Sequence, residues 1–319
     1  MSHKPHLVRR TGRDVLVLGA TGVAGRSTGR TLAEAGHRVR AHARTPEKAD
    51  LVRSLGATAA LGDAEDRGTL LGWMDGVDAV VDLRVAIPSG ARAMMPWAWR
   101  EYARLRGVET GRVVACALTA GVPVVVHDTV SMVYDDGGNA ILHEDAPVRA
   151  PGALAANLVA ERHLTGFTRA GGRGVALRFG QFYGPDDAIS LDLLRRAQNG
   201  QALVLGDPSG WTSSIHTADV GPAVLAALDV PAGVYNVVDD EPMRRRDWVD
   251  LLATSVGRAS LKKPPGFVTA VASAPLKALA RSQRVSAERF RSAGGWRPTV
   301  PSRRVGWPEV VRRTAEVTR

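Results

Sequence analysis

The 319-residue sequence predicts an α/β protein, a doubly wound parallel sheet followed by a smaller C-terminal lobe. Three observations predict it. Short runs rich in Val, Ala and Leu alternate with helical runs. Those short runs are near-continuously apolar, as strands buried on both faces are. The first of them leads directly into a glycine-rich turn that opens a helix.

Residues 15–18 read as the first strand, and 25–35 as a helix that stops at Gly36. Residues 39–43 form a second strand. A helix over 46–54 ends near Gly56. Strands follow at 57–61 and 79–83. Residues 96–106 and 113–120 read as a long helical region, broken around 107–111. A fifth strand spans 122–127, a helix 154–170 and a sixth strand 175–179. Beyond Pro185 the pattern loosens, with helices at 191–198 and 217–228, a strand at 233–238 and a helix at 246–256. The tail from Gly257 is rich in Pro and Arg. The expected organisation is a flexible segment 1–12 and a nucleotide-binding domain 13–185, completed by about 217–242. Residues 186–216 and 243–319 form the substrate-binding lobe.

Composition narrows the function. The hydrophobic fraction is 45% and the charged fraction 23%, which excludes a disordered chain. The net charge of +10 raises nucleic-acid binding. The charge is mostly Arg scattered along the whole chain, so no basic patch is expected and no nucleic-acid partner. One cysteine, Cys116, excludes an internal disulfide and a Cys-based zinc site. Asp135-Asp136 and Asp239-Asp240 lack neighbouring His and read as turn acids, so no metal site is expected. No run approaches the roughly 20 apolar residues that span a bilayer. A cytoplasmic protein, monomeric or a homodimer, without a membrane partner is the expectation.

The turn after the first strand reads Gly19-Ala-Thr21-Gly22-Val23-Ala24-Gly25. Gly19 allows the tight turn, Gly22 lets a pyrophosphate approach the backbone, and Gly25 lets helix and strand pack closely. Free N–H groups at the helix start then hold the phosphates. This is the Rossmann arrangement. The second strand ends Ala41-His42-Ala43-Arg44, with no carboxylate for a ribose, and Arg26 follows the third glycine. A guanidinium suits a 2′-phosphate, so the expected cofactor is NADPH/NADP.

Several further segments resemble the extended, epimerase/dehydratase-like branch of the short-chain dehydrogenase/reductase superfamily. They are Gly62-Asp63, Leu177-Arg178 with Phe182-Tyr183-Gly184-Pro185, Ile215-His216-Thr217-Ala218-Asp219-Val220, Tyr235-Asn236-Val237 and Gly295-Trp296-Arg297-Pro298. The resemblance covers roughly residues 13–310. It implies that Asp63 meets the adenine, with Ala64 beside it. It implies that Leu83 and Arg84 line the cofactor and that Phe182 lies near the nicotinamide.

The same resemblance exposes a loss. Members of the branch use a Ser or Thr, a Tyr and a Lys for proton chemistry. Here those positions fall on Val130, Ala153 and Asn157. Asn157 retains an amide able to hydrogen-bond a ribose, without charge. Three proton sources remain: a nearby side chain (Ser131, Thr129, Tyr134 or Tyr183), water, or a phenol on the substrate beside its carbonyl. Ser131 is the candidate catalytic residue. Met95, Trp97, Ser131, Gln181, Tyr183 and Trp211 are the candidate substrate contacts, and their aromatic and thioether groups suit a flat aromatic molecule.

The functional expectation is an NADPH-dependent ketoreductase acting on a bulky, polycyclic aromatic secondary metabolite. It resembles the atypical ketoreductases of aromatic polyketides, such as angucyclinones, that lack the Tyr-x-x-x-Lys motif. Two alternatives stand beside it: a non-catalytic, NmrA-like NADP(H)-binding regulator, and a nucleotide-sugar epimerase or dehydratase.

Overall fold

The computed structural model describes residues 12–262 and 272–317. Almost all of the expected flexible segment 1–12 lies outside these. The centre is a seven-stranded, wholly parallel sheet. In chain order, β1 is Asp14–Leu18, β2 Arg38–Ala43, β3 Thr58–Leu61, β4 Ala79–Asp82 and β5 Val124–Val130. The two-residue β6, Ile141–Leu142, lies outside the sheet; β7 is Arg173–Phe179. Then come β8 Gln181–Tyr183, β9 Trp211–Thr212, β10 Ser214–His216 and β11 Gly233–Val237. The spatial order is β3-β2-β1-β4-β5-β7-β11. Winding reverses between β1 and β4, and a doubly wound sheet binds its ligand at that reversal, beyond the carboxyl ends of the strands.

Alternation along the strands builds two cores. Val15, Val17, Val81, Val124 and Val126 face one way, against helices α1 (Val23–Glu34) and α8 (Thr217–Ala227). Leu16, Leu18, Val80 and Val125 face the other way, with α3 (Arg67–Met74), α5 (Thr110–Thr119) and α6 (Ala155–Arg169). Each strand is thus buried on both sides, which is why its sequence reads as unbroken apolar residues. A third core, around Tyr183, Leu194, Trp248, Leu252 and Trp307, joins α7 (Ala188–Gln198), α9 (Arg245–Ser255) and the helix Arg303–Val317.

The structure departs from the sequence reading in three places. The chain over 100–119 is not broken at its glycines: α4 (Arg100–Arg104) runs through a π-helical turn, Leu105–Glu109, into α5. Those glycines serve packing. A Cβ on Gly111 would lie 2.9 Å from the His163 ring, and Gly107 faces Ala156 on the same helix, α6. The helix α3 was not expected; Asp66 caps it by accepting from Thr69 N at 2.7 Å, and it buries Leu70 and Met74. The helix Arg303–Val317 was also hidden, because Pro308 interrupts its pattern.

Candidate functional site

The glycine turn lies at the reversal point. Gly19 has φ +80, and a Cβ there would meet the Leu83 carbonyl at 2.7 Å, so the loop rests directly on the backbone after β4. A Cβ on Gly25 would lie 2.2 Å from the Gly19 carbonyl oxygen, which forbids any side chain. Gly22 differs: its φ is ordinary, it is exposed, and a Cβ would meet only Gly19 O at 3.4 Å. The fold itself does not need a glycine there. Gly22 is the N-cap of α1, with no side-chain cap and no acid in the first turn. The first N–H groups of the helix and its positive end therefore lack a side-chain acceptor at this cap. Ala24 is buried, while Thr21, Val23 and Arg26 are half-buried; Arg26 donates to the Thr21 carbonyl at 3.0 Å and so braces the turn.

At the far side of the cleft, β2 ends beside Arg44. Arg44 is exposed and has no hydrogen-bond or ion-pair partner among the described residues. Asp63 is exposed, its carboxylate accepting from Glu65 N at 2.8 Å, and Ala64 beneath it is buried. Arg84 follows β4. It is 7% exposed and grips Asp82 through Nε at 2.8 Å and Nη2 at 2.9 Å, while its Nη1 is buried without a partner. Burial alone would raise the Asp82 pKa; the Arg84 guanidinium overcomes that and holds it at about 2. Leu83 is buried between them, and Phe182 packs edge-on to Phe179.

The proton-transfer positions hold no proton chemistry. Val130, Met132 and Ala153 are partly open and pack on one apolar cluster with Trp99, Tyr102 and Leu154, joined by Ala93 and Leu276. Asn157 is fully buried, its amide donating to the Tyr102 hydroxyl at 2.9 Å and the Leu154 carbonyl at 3.0 Å. Ser131, the candidate catalytic residue, is only 3% exposed and opens the turn after β5. Thr129 donates to the Glu161 carboxylate on α6 and the Leu177 carbonyl on β7, and Tyr134 donates to Asn236 at 2.7 Å. Asp128 is held by both terminal nitrogens of buried Arg106, with His127 beside them. Burial, aided by Arg106, pushes His127 down to about 4, so it is neutral near pH 7.

Of the expected substrate contacts, Met95 and Trp97 are exposed at 46% and 53%, on the segment that also exposes Val85 and Ile87. Gln181 is half-buried at the carboxyl end of the sheet. Tyr183 is 2% exposed, packed against His216 in the third core. Trp211 is also spoken for, because the guanidinium groups of Arg244 and Arg284 lie over its ring at 4.3 and 4.8 Å. Sequence reasoning missed the apolar cluster on which Val130, Met132, Ala153 and Leu276 pack, because its members come from distant parts of the chain.

This fold and loop define a dinucleotide-binding α/β protein. The NAD dependent epimerase/dehydratase family model matches residues 15–237, and the chain belongs to that family. It is 31% identical to a 3-diazoavenalumate denitrifying reductase of Streptomyces sp, covering 92% of this chain and 98% of that protein. It is 30% identical to a 4-hydroxy-2-methyl-3-oxo-4-farnesyl-3,4-dihydroquinoline-1-oxide ketoreductase of Stigmatella aurantiaca, covering 76% and 72%. Among solved structures, DesIV, a dTDP-glucose 4,6-dehydratase from Streptomyces venezuelae with NAD bound, superposes with TM-score 0.79. It is 20% identical over 95% of this chain and 97% of that one, a likeness of fold.

Proposed function

We propose that the protein is an NADPH-dependent reductase of a bulky, polycyclic aromatic metabolite, acting by hydride transfer without an enzyme acid. The observation that carries the reading is that Val130 and Ala153, where the resemblance puts the family's hydroxyl and phenol, are half-buried and pack on an apolar cluster with Trp99, Tyr102 and Leu154. Both curated relatives are named as reductases, which supports an oxidoreductase in this family over a sugar epimerase. Epimerisation by transient oxidation needs a base for the sugar hydroxyl, and the cleft supplies none.

NADPH, when bound, supplies the hydride. The chain's own contribution is position. Gly19, Gly22 and Gly25 shape the phosphate cradle, and Arg84 lies beneath the adjoining strand end. Arg44 is the free cation for a 2′-phosphate. Val130, Met132 and Ala153, with exposed Met95 and Trp97, offer apolar surface to a flat substrate. The oxyanion left on the substrate takes its proton from a neighbouring phenol of the substrate itself, or from water. Losing a general acid slows a reaction by about 10²–10⁴-fold, a loss that good placement tolerates. The NmrA-like alternative expects cofactor binding without turnover. The test mixes the protein with NADPH, then NADH, and a panel of hydroxyaryl ketones and quinones, and follows product formation. Consumption with NADPH preferred supports the reading; tight binding with no product across the panel supports the regulator.

A further inference from the structure

Arg303 opens the last helix, and its position in the sequence reads as surface. It is 3% exposed. No carboxylate pairs with it among the described residues; its Nη1 donates to Thr212 Oγ1 at 3.1 Å, and its Nη2 to Gln181 Oε1 at 2.9 Å. Its plane lies over Trp248 at 4.6 Å, and its Nε has no partner. The nearby acid, Asp239, is bonded to Ser214 and is itself buried, which pushes its carboxyl up to about 8. It is therefore mostly neutral at pH 7 and offers little compensation. A buried guanidinium without an ionised partner is expensive for stability.

Its arrangement fixes one thing. Arginine only donates hydrogen bonds, so the atom of Gln181 facing it is the carbonyl oxygen. The amide nitrogen of Gln181 then faces away. It has no partner among the described residues, and the residue is half open, on the strand just past the end of β7. We propose that Arg303 is a positioning residue that locks Gln181 as a hydrogen-bond donor into the cleft, so that the substrate presents an oxygen acceptor there. The guanidinium polarises the amide and strengthens its N–H bonds. This inference rests on the reductase reading and adds the polar feature that the apolar surface lacks: it selects which end of a flat substrate enters.

The test uses Gln181→Glu, Arg303→Lys and Arg303→Met. The probe is 1-hydroxy-2-acetonaphthone with NADPH, the alcohol product being quantified by chromatography. Glutamate gives Arg303 its missing counter-ion but only accepts hydrogen bonds. Gln181→Glu is therefore expected to raise Tm by several degrees, to raise KM about tenfold or more, and to leave the NADPH dissociation constant within twofold. Arg303→Met raises KM several-fold, and Arg303→Lys, which still donates to Oε1, recovers most of the loss. A Gln181→Glu protein with raised Tm and unchanged KM overturns the inference, even if Arg303→Met fails to fold. So does an Arg303→Lys protein as impaired as Arg303→Met. Wild-type protein that reduces no hydroxyaryl ketone of the panel overturns the reductase reading, and this inference with it.

Discussion

Asn157 donates to the Tyr102 hydroxyl at 2.9 Å, and the pair fills the place where the family resemblance puts an ammonium group. Both residues are buried, and Arg106 lies 5.7 Å from the Tyr102 ring centre. The site has been rebuilt around a neutral pair. Asn157→Lys would bury an ammonium beside that guanidinium, at a cost of about 3 kcal/mol or more. A clear fall in Tm with no gain in turnover is expected, measured by thermal unfolding and by ketone reduction. Tyr102→Phe strands the Asn157 amide and costs about 1–2 kcal/mol.

Gly22 and Gly25 separate binding from folding. Gly25→Ala places a Cβ 2.2 Å from a carbonyl oxygen and unfolds the turn. Gly22→Ala meets ordinary contact in the protein alone. Its Tm is expected to stay within a degree or two of wild type. Its NADPH affinity, by fluorescence titration, falls about tenfold or more, because the methyl group stands where the pyrophosphate approaches.

In the proposed function, Arg44 is the residue that selects NADPH. Arg44→Ala removes the free cation at the end of β2. KM for NADPH is expected to rise about 10–100-fold while KM for NADH changes little. Equal effects on both cofactors would assign Arg44 to the surface.

Two buried groups give opposite pH dependence. His127 titrates near 4 when folded against 6.5 ordinarily, so between those values the unfolded chain binds more protons and stability rises with pH. Asp239 titrates near 8 against 3.8, so over that span the folded chain binds more protons and stability falls as pH rises. The two oppose each other from about pH 4 to 6.5, and Asp239 alone acts from there to about 8. Asp239→Asn is therefore expected to raise Tm relative to wild type at pH 8 and to change it little near pH 4. An identical shift at both pH values would remove Asp239 from the account.

The glycine turn and the alternating elements were legible because each depends on local spacing. What stayed hidden depends on distant neighbours. Gly107 and Gly111 looked like breakers because nothing nearby in sequence shows α6 packing on them. Trp211 looked free because its guanidinium partners, Arg244 and Arg284, are 33 and more residues away. Tyr183 sits on a motif beside the cleft, yet its ring turns into the lobe core against His216. Arg303 is one Arg among many, and only tertiary burial distinguishes it.

The central claim is that no enzyme side chain supplies the proton, and that a phenol on the substrate supplies it faster than water does. The most direct measurement compares kcat with NADPH for 1-hydroxy-2-acetonaphthone, whose phenol bonds its own carbonyl, and for 2-acetonaphthone, which has none. The account predicts that the hydroxy ketone is reduced about 100-fold faster or more, with Ser131→Ala matching wild type on both. Equal rates for the two ketones, or a loss above about 10³-fold on replacing Ser131 alone, would contradict it.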